Sequence, residues 1–326
     1  MMEYVKLGQT GLDVSKICLG CMSFGDPERW IHSWVLNEED SRKIIKKALD
    51  LGINFFDTAN VYGLGASEEI LGKALKDYAK REEIVIATKV SGKMHDGPNG
   101  SGLSRKSILH EVDQCLKRLQ TDYIDLLYIH RWDYTTPIEE TMCVLNDLVR
   151  NGKVHYIGAS SMFAWQFQKT QYIAEKNNWT KFSVMQGHYN LLYREEEREM
   201  NPFCFDSGVA LVPYSPLAAG RLTRDWNADS KRAKEDQIAK NKYDSTEDTD
   251  KKIVEAVTKI ADKHQATRSQ IAVAWLWKKG VTAPIVGITK EKYLDDFVGA
   301  LDVKLTDEDM TLLEEYYVPH QIVGHQ

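Results

Sequence analysis

The chain predicts a closed (β/α)8 TIM barrel with a hairpin ahead of it and extended loops at its C-terminal face. Three observations carry that prediction. Eight short apolar runs, each suited to a strand buried on both faces, recur along 326 residues. Between them lie polar turns and segments of helical period. The runs begin roughly 30 to 40 residues apart up to the seventh, the length of one βα unit, and eight such units in about 300 residues favour a closed barrel over an open sheet. One domain over residues 1–326 is expected, because no shift of composition marks a second.

The opening EYVKLGQTGLDVSK, residues 3–16, reads as a hairpin that covers the barrel bottom. The strand runs are ICLG (17–20), INFFD (53–57), IVIATK (84–89), IDLLYIH (124–130), VHYIGAS (154–160), FSVMQ (182–186), VALVPY (209–214) and APIVG (283–287). After the third, Ile108, Val112, Cys115, Leu116 and Leu119 keep helical spacing, so one helix face lies on the sheet. After the fourth, Thr136 offers an N-cap, Pro137 suits the first helical position, Glu139 completes a capping box and Gly152 supplies the stop. Residues 221–249 form a long polar connection after strand seven, without an apolar period strong enough for a core helix. Thr306 caps a closing helix over 306–317.

Bulk composition excludes several classes. A net charge of −6 and a pI near 5.9 give a long-range field of the wrong sign for nucleic acid. No apolar run approaches membrane-spanning length and the N-terminus lacks the pattern of a signal peptide, so a cytoplasmic protein is expected. Five scattered cysteines do not describe a disulfide framework. Cys18 and Cys21 form C-x-x-C inside a strand-like phrase with no second pair, and His188, His320 and His325 lack ligand spacing, so no metal is expected.

In barrels of this kind the chemistry gathers at the C-terminal strand ends. There the second run ends in Asp57, the third in Lys89 and the fourth in His130, with Tyr62 in the loop after the second. A tyrosine serves as general acid near neutrality when its pKa of roughly 10 is lowered, which a nearby ammonium does. Lys89 fits that role, His130 stabilises by hydrogen bonding, and Asp57 supplies the counter-charge a pocketed lysine needs.

The phrases DTANVYG, ATK, YIHRWD, GASSM, VMQGHYN and VPYSPLAAGRLT resemble the aldo-keto reductase superfamily, more closely its bacterial YajO-like and aryl-alcohol-dehydrogenase-like branch. The resemblance implies an NADPH-dependent carbonyl reductase with Asp57, Tyr62, Lys89 and His130 as a catalytic tetrad. It also implies that Ser160 and Gln186 hold the nicotinamide carboxamide and that the ring stacks on Tyr214. Ser215, Pro216, Leu217, Ala218, Gly220, Arg221 and Leu222 match the pyrophosphate segment. Gly287, Thr289, Lys290, Tyr293 and Asp296 match the adenosine side.

Other signals are weaker. The G-x-G of YGLGASEE lacks the third glycine of a dinucleotide fingerprint. Trp30, Trp34 and Trp132 fit either packing or an aromatic substrate rim. The polar connection 221–249 starts at the pyrophosphate segment and is expected to act as a lid over the cofactor. A small carbonyl compound is the expected partner. Two other functions fit the same barrel: a non-catalytic cofactor-binding sensor subunit, which an intact tetrad disfavours, and a sugar-phosphate-converting enzyme, which would need the loop at Gly287 to Lys290 for its phosphate.

Overall fold

The computed structural model describes residues 1–29, 32–225, 240, 242–243 and 246–325. Strands β1 (Tyr4–Lys6) and β2 (Asp13–Ser15) pair antiparallel as the expected hairpin. Eight parallel strands follow: β3 (Cys18–Gly20), β4 (Phe55–Asp57), β5 (Val85–Val90), β6 (Ile124–Ile129), β7 (Val154–Ser160), β8 (Val184–Gln186), β9 (Ala210–Leu211) and β10 (Ile285–Gly287). The sheet runs in the order β10-β3-β4-β5-β6-β7-β8-β9. Its two ends meet: Thr282 N donates to Leu211 O at 3.0 Å and Ile285 N to Pro213 O at 2.9 Å. This is the (β/α)8 barrel that the spacing predicts.

Each strand reads as a continuous apolar run because it is buried on both faces, and alternation decides which core a residue joins. Phe55, Val85, Ala87, Leu126 and Tyr128 fill the inside of the barrel. Their neighbours Phe56, Ile86, Leu127 and Ile129 pack outward beneath the helices. The hairpin contributes Leu7 and Val14 to the inner cluster, so it plugs the barrel. Tyr128 is matched in register with Gly158, where a Cβ would come within 2.6 Å of the Tyr128 ring. A large side chain on one strand thus requires none on the next.

Among the described residues the helices are α1 (Glu38–Asp50), α2 (Ala66–Tyr78), α3 (Arg105–Leu119), α4 (Ile138–Arg150), α5 (Ala164–Lys176), α6 (Met200–Asp206), α7 (Glu247–His264), α8 (Arg268–Lys278), α9 (Lys292–Gly299) and α10 (Asp307–Glu314). α3 buries Ile108, Val112, Cys115 and Leu119 at the expected spacing. Thr306 caps α10 in a reciprocal box with Asp309. Thr136 does not cap α4. Its hydroxyl donates to Asp133 Oδ2 at 2.7 Å, and Pro137 stands at the N-cap without a side-chain bond. Gly152, at φ +80°, follows the C-cap Asn151 and ends the helix as expected.

The connection after β9 also departs from expectation. Leu222 and Tyr243 are buried, and α7 already begins at Glu247. Of the expected lid over 221–249, residues 226–239, 241 and 244–245 lie outside the described residues.

Candidate active site

Counting by twos from the inner core residues, Phe55 leads to Asp57, Ala87 to Lys89, Tyr128 to His130, Gly158 to Ser160 and Val184 to Gln186. The strand period therefore turns these side chains toward the same C-terminal mouth. Lys89 is fully buried and Asp57 nearly so. Lys89 Nζ donates to Asp57 Oδ1 at 2.5 Å, to Thr58 O at 2.8 Å and to the Tyr62 hydroxyl at 3.4 Å. Gln186 Nε2 donates to the other Asp57 oxygen at 2.8 Å. The Tyr62 and His130 rings meet edge to face, with centroids 5.9 Å apart. The structure thus brings together all four residues the strand-end reasoning selects.

Tyr62 is delivered by a tight turn over Tyr62–Gly65, in which Gly63, Leu64 and Gly65 all take positive φ. The G-x-G of the sequence has its use here, since glycine enters the left-handed region without the penalty of a Cβ.

The electrostatics differ in one respect from the sequence expectation. Burial raises the Tyr62 phenol above its ordinary value; Lys89 pulls it down and Asp57 pushes it up, and the balance stays upward. The phenol is therefore protonated at neutral pH rather than acidified at rest. Burial works to lower the Lys89 pKa, but Asp57 and then Tyr62 outweigh it, so the ammonium is held. Asp57 is raised by burial against the opposing pull of Lys89 and Gln186. His130 is pushed well below its usual range by burial, then by Lys89 and Arg131, and is a neutral imidazole.

Around this centre lie the residues proposed for a dinucleotide. Ser160 donates its hydroxyl to Gln186 O at 2.9 Å, and Ser161 donates to the Tyr214 hydroxyl at 3.2 Å. Tyr214 is stacked on His188 with an interplanar angle of 8°. Lys242 Nζ lies 4.9 Å from the Tyr214 ring centroid, so a further ring stacking there has to share the face or displace the ammonium.

Ser161, Ser215, Ala218 and Ala219 are non-glycine residues at positive φ, adjoining Gly220 at φ +91°. Such conformations cost roughly 1–3 kcal/mol each and cluster at ligand sites. Pro216, Ala218 and Leu222 are buried, and Leu217 is half-buried. On the last loop Gly287 is exposed with open space where a Cβ would stand. Lys290 and Tyr293 are exposed and Thr289 is half-buried. Asp296 accepts from the Thr267 hydroxyl at 2.7 Å, which commits that carboxylate within the protein.

Trp34 and Trp132 are half-buried; Trp30 lies outside the described residues. Sequence reasoning missed two partners of Trp132. Trp165 and Tyr134 are exposed aromatics with ring centroids 6.1 and 6.5 Å from it, and together the three form a rim beside His130. Tyr134, two residues beyond Trp132 in the same loop, was a signal available in the sequence; Trp165 arrives only through the fold.

Elsewhere, a cavity beside the starts of β5 and β6 is lined by Gly72, Arg81, Leu119 and Tyr123 and contains none of these residues. Of its two lining cations, Arg81 is stacked on Tyr123 and paired with Asp125 at 2.7 Å, and Lys76 donates to Gln120 Oε1 at 3.3 Å. The five cysteines are free thiols. Among the described residues no group of His, Cys, Asp or Glu side chains is arranged to hold a metal, and no helix is long and apolar enough to cross a membrane.

Comparison with known proteins supplies the class to which this barrel belongs. The profile described as Aldo/keto reductase family matches residues 16–318. The chain belongs to the aldo/keto reductase family, which generally uses a nicotinamide cofactor.

It is 47% identical over 341 residues to versiconal hemiacetal acetate reductase of Aspergillus parasiticus, covering 98% of both chains. A Schizosaccharomyces pombe protein that carries an aryl-alcohol dehydrogenase name is 45% identical over 346 residues, covering 98% of this chain and 97% of its own. An Alternaria alternata protein named as an aldo-keto reductase is 44% identical over 348 residues, covering 99% of this chain and 93% of its own.

Proposed function

We propose that the protein is an NADPH-dependent reductase of aldehydes and ketones, with Tyr62 as its general acid. The observation that carries this reading is the buried pair Asp57 and Lys89 against the half-buried Tyr62, with the ammonium 2.5 Å from a carboxylate oxygen and 3.4 Å from the phenol. The cofactor, when bound, supplies the hydride that reduces the carbonyl carbon.

The chain's own residues handle the proton. Tyr62 donates its O–H to the carbonyl oxygen as negative charge develops there, and is left as phenolate. Lys89 stabilises that phenolate more than it stabilises the resting phenol, so its effect falls on the transition state. Its proton stays on nitrogen because Asp57 pairs with it. His130, neutral, is suited to hydrogen-bond the carbonyl oxygen without competing as a stronger acid.

The cofactor residues fit what they would have to hold. Gln186 spends its amide N–H on Asp57 and keeps its Oε1 as an acceptor, and Ser160 spends its hydroxyl hydrogen on Gln186 O and keeps its lone pairs. Two acceptors suit the NH2 of a carboxamide. Tyr214 offers a ring face, the left-handed turn at 215–222 offers backbone N–H groups to a pyrophosphate, and Gly287 leaves room for the adenosine side, where Tyr293 and Asp296 follow. Thr289 and Lys290 suit a 2′-phosphate, whose extra charge strengthens donated hydrogen bonds. A small carbonyl compound is the partner, entering past Trp34 and Trp132.

Fluorescence titration with NADPH and NADH, followed by NADPH consumption across a panel of aliphatic and aromatic carbonyls, tests the reading. Tight NADPH binding with turnover of carbonyls is expected, and Lys290→Glu should raise the Kd for NADPH while sparing NADH. Equal losses for both cofactors would remove the 2′-phosphate role. Binding without turnover of any carbonyl would favour the sensor alternative.

A further inference from the structure

We propose that the ion pair of buried Glu68 with half-buried Arg118 is a positioning device: it fixes the turn that carries Tyr62 against the strand that carries Lys89, and so sets the reach of the phenol. The inference rests on Tyr62 being the acid. Neither residue touches the reacting groups.

The segment from Thr58 to Glu68 leaves β4 directly after Asp57 and re-enters the wall as α2. It is tethered on both sides of Tyr62. Before it, Thr58 O accepts from Lys89 Nζ, Thr58 and Ser67 share a hydroxyl bond of 2.8 Å, and Ser67 donates to Cys21 O at 2.7 Å. Asn60 N donates to Lys89 O at 3.1 Å, and Asn60 Nδ2 donates to Glu111 Oε2 at 3.0 Å.

After Tyr62 the chain makes its left-handed turn with Leu64 exposed, so burial of a side chain does not hold the turn in place. Arg118 does so from below. A Cβ on Gly65 would lie 2.5 Å from Arg118 Cδ, which shows how closely the guanidinium stem underlies the turn. Arg118 Nε donates to Glu68 Oε2 at 2.6 Å, and Glu68 Oε1 accepts from Thr88 Oγ1 at 2.5 Å. Thr88 is the residue before Lys89 and projects from the opposite face of β5. One fully buried carboxylate therefore joins α2, α3 and the lysine strand directly behind the Tyr62 turn. On the solvent side Arg29 donates to Leu64 O of the same turn at 3.2 Å from an exposed position.

A buried ion pair is often no more stabilising than apolar groups of the same size, so its presence calls for another use, and fixing a unique geometry is the best attested. The planar guanidinium supplies direction as well as charge, which a lysine does not. A shift of about 1 Å in a reacting group is enough to cost on the order of 100-fold in rate.

The test compares Glu68→Gln, Arg118→Lys and the neutral pair Glu68→Gln with Arg118→Gln, each in the wild-type and the Tyr62→Phe background. Lost positioning predicts kcat down roughly 10- to 100-fold with KM and the NADPH Kd little changed. It also predicts an intermediate loss in Arg118→Lys and no further loss of residual turnover in the Tyr62→Phe background. A second readout needs neither cofactor nor turnover. In protein labelled with 13C at tyrosine Cζ, the resonance that disappears in Tyr62→Phe should shift in the Glu68 and neutral-pair variants.

An equal fold-loss in both backgrounds, or an unmoved resonance with unchanged kcat, would overturn the inference while leaving Tyr62 as the acid. Full activity in Tyr62→Phe alone would instead overturn the reading on which it rests. Should Glu68→Gln, which leaves Arg118 with Glu111 at 3.7 Å, fail to fold, the neutral pair decides.

Discussion

Asp57 ties the fold to the proposed chemistry. Its carboxylate spends one oxygen on Lys89 and the other on Gln186, with both partners buried. Removing a single member of a buried ion pair leaves the other charge unpaired, a loss of about 3–5 kcal/mol. Asp57→Asn should therefore lower unfolding free energy in urea by that order and cut turnover at the same time. A variant of wild-type stability would mean that Lys89 finds its counter-charge elsewhere. The three strand-end residues and Tyr62 in the following loop were legible as a cluster because each is chemically conspicuous and falls where a barrel puts its mouth. The raised pKa of Tyr62 was not, since it follows from how deeply the phenol is packed, and burial is set by the fold. Glu68 and Arg118 were equally hidden: fifty residues apart in the chain, each looks like an ordinary solvated helix charge until α2 and α3 are packed side by side.

At the scale of elements, all eight strand runs appear as strands because buried parallel strands leave an unbroken apolar signature. Caps were less legible, since a hydroxyl near a helix start has several acceptors to choose from. Thr306 caps its helix, whereas Thr136 is claimed by Asp133. The polar composition of 221–249 likewise concealed Leu222 and Tyr243, two apolar anchors that only a tertiary contact reveals. The packing of β6 on β7 supplies a prediction at this scale. In Gly158→Ala the new methyl meets the Tyr128 ring at 2.6 Å inside a filled barrel. Overpacking of this kind costs about 1–3 kcal/mol. Thermal unfolding should register it as a lowered Tm, and restoring space with Tyr128→Leu should recover part of the loss. An unchanged Tm for Gly158→Ala would show that the barrel gives way freely there.

For the molecule as a whole, pH acts through histidines that are buried neutral. Burial first, then nearby cations, pushes His130 and His188 well below their usual range. In the unfolded chain both titrate near 6.5, so below that pH the unfolded state binds more protons and stability falls; above it both states are neutral and the contribution is flat. Each such histidine is worth up to about 1.4 kcal/mol per pH unit in that window. Asp57, raised by burial, works in the opposite sense in the acid range, because there the native state binds the extra proton. Comparing urea unfolding at pH 7.5 and 5.5 for wild type and His188→Gln isolates one histidine, and the variant should show the shallower loss. Identical losses would mean that His188 is not held neutral.

The proposed reaction turns on a phenol that gives its proton to a carbonyl oxygen, and Tyr62→Phe is the substitution that removes the proton and keeps the ring. NADPH binding, followed by fluorescence, should be preserved. With a carbonyl substrate that the wild type reduces, kcat should fall by about 10²–10⁴-fold, the usual worth of general acid catalysis. A variant that binds NADPH and turns over at the wild-type rate would contradict the account.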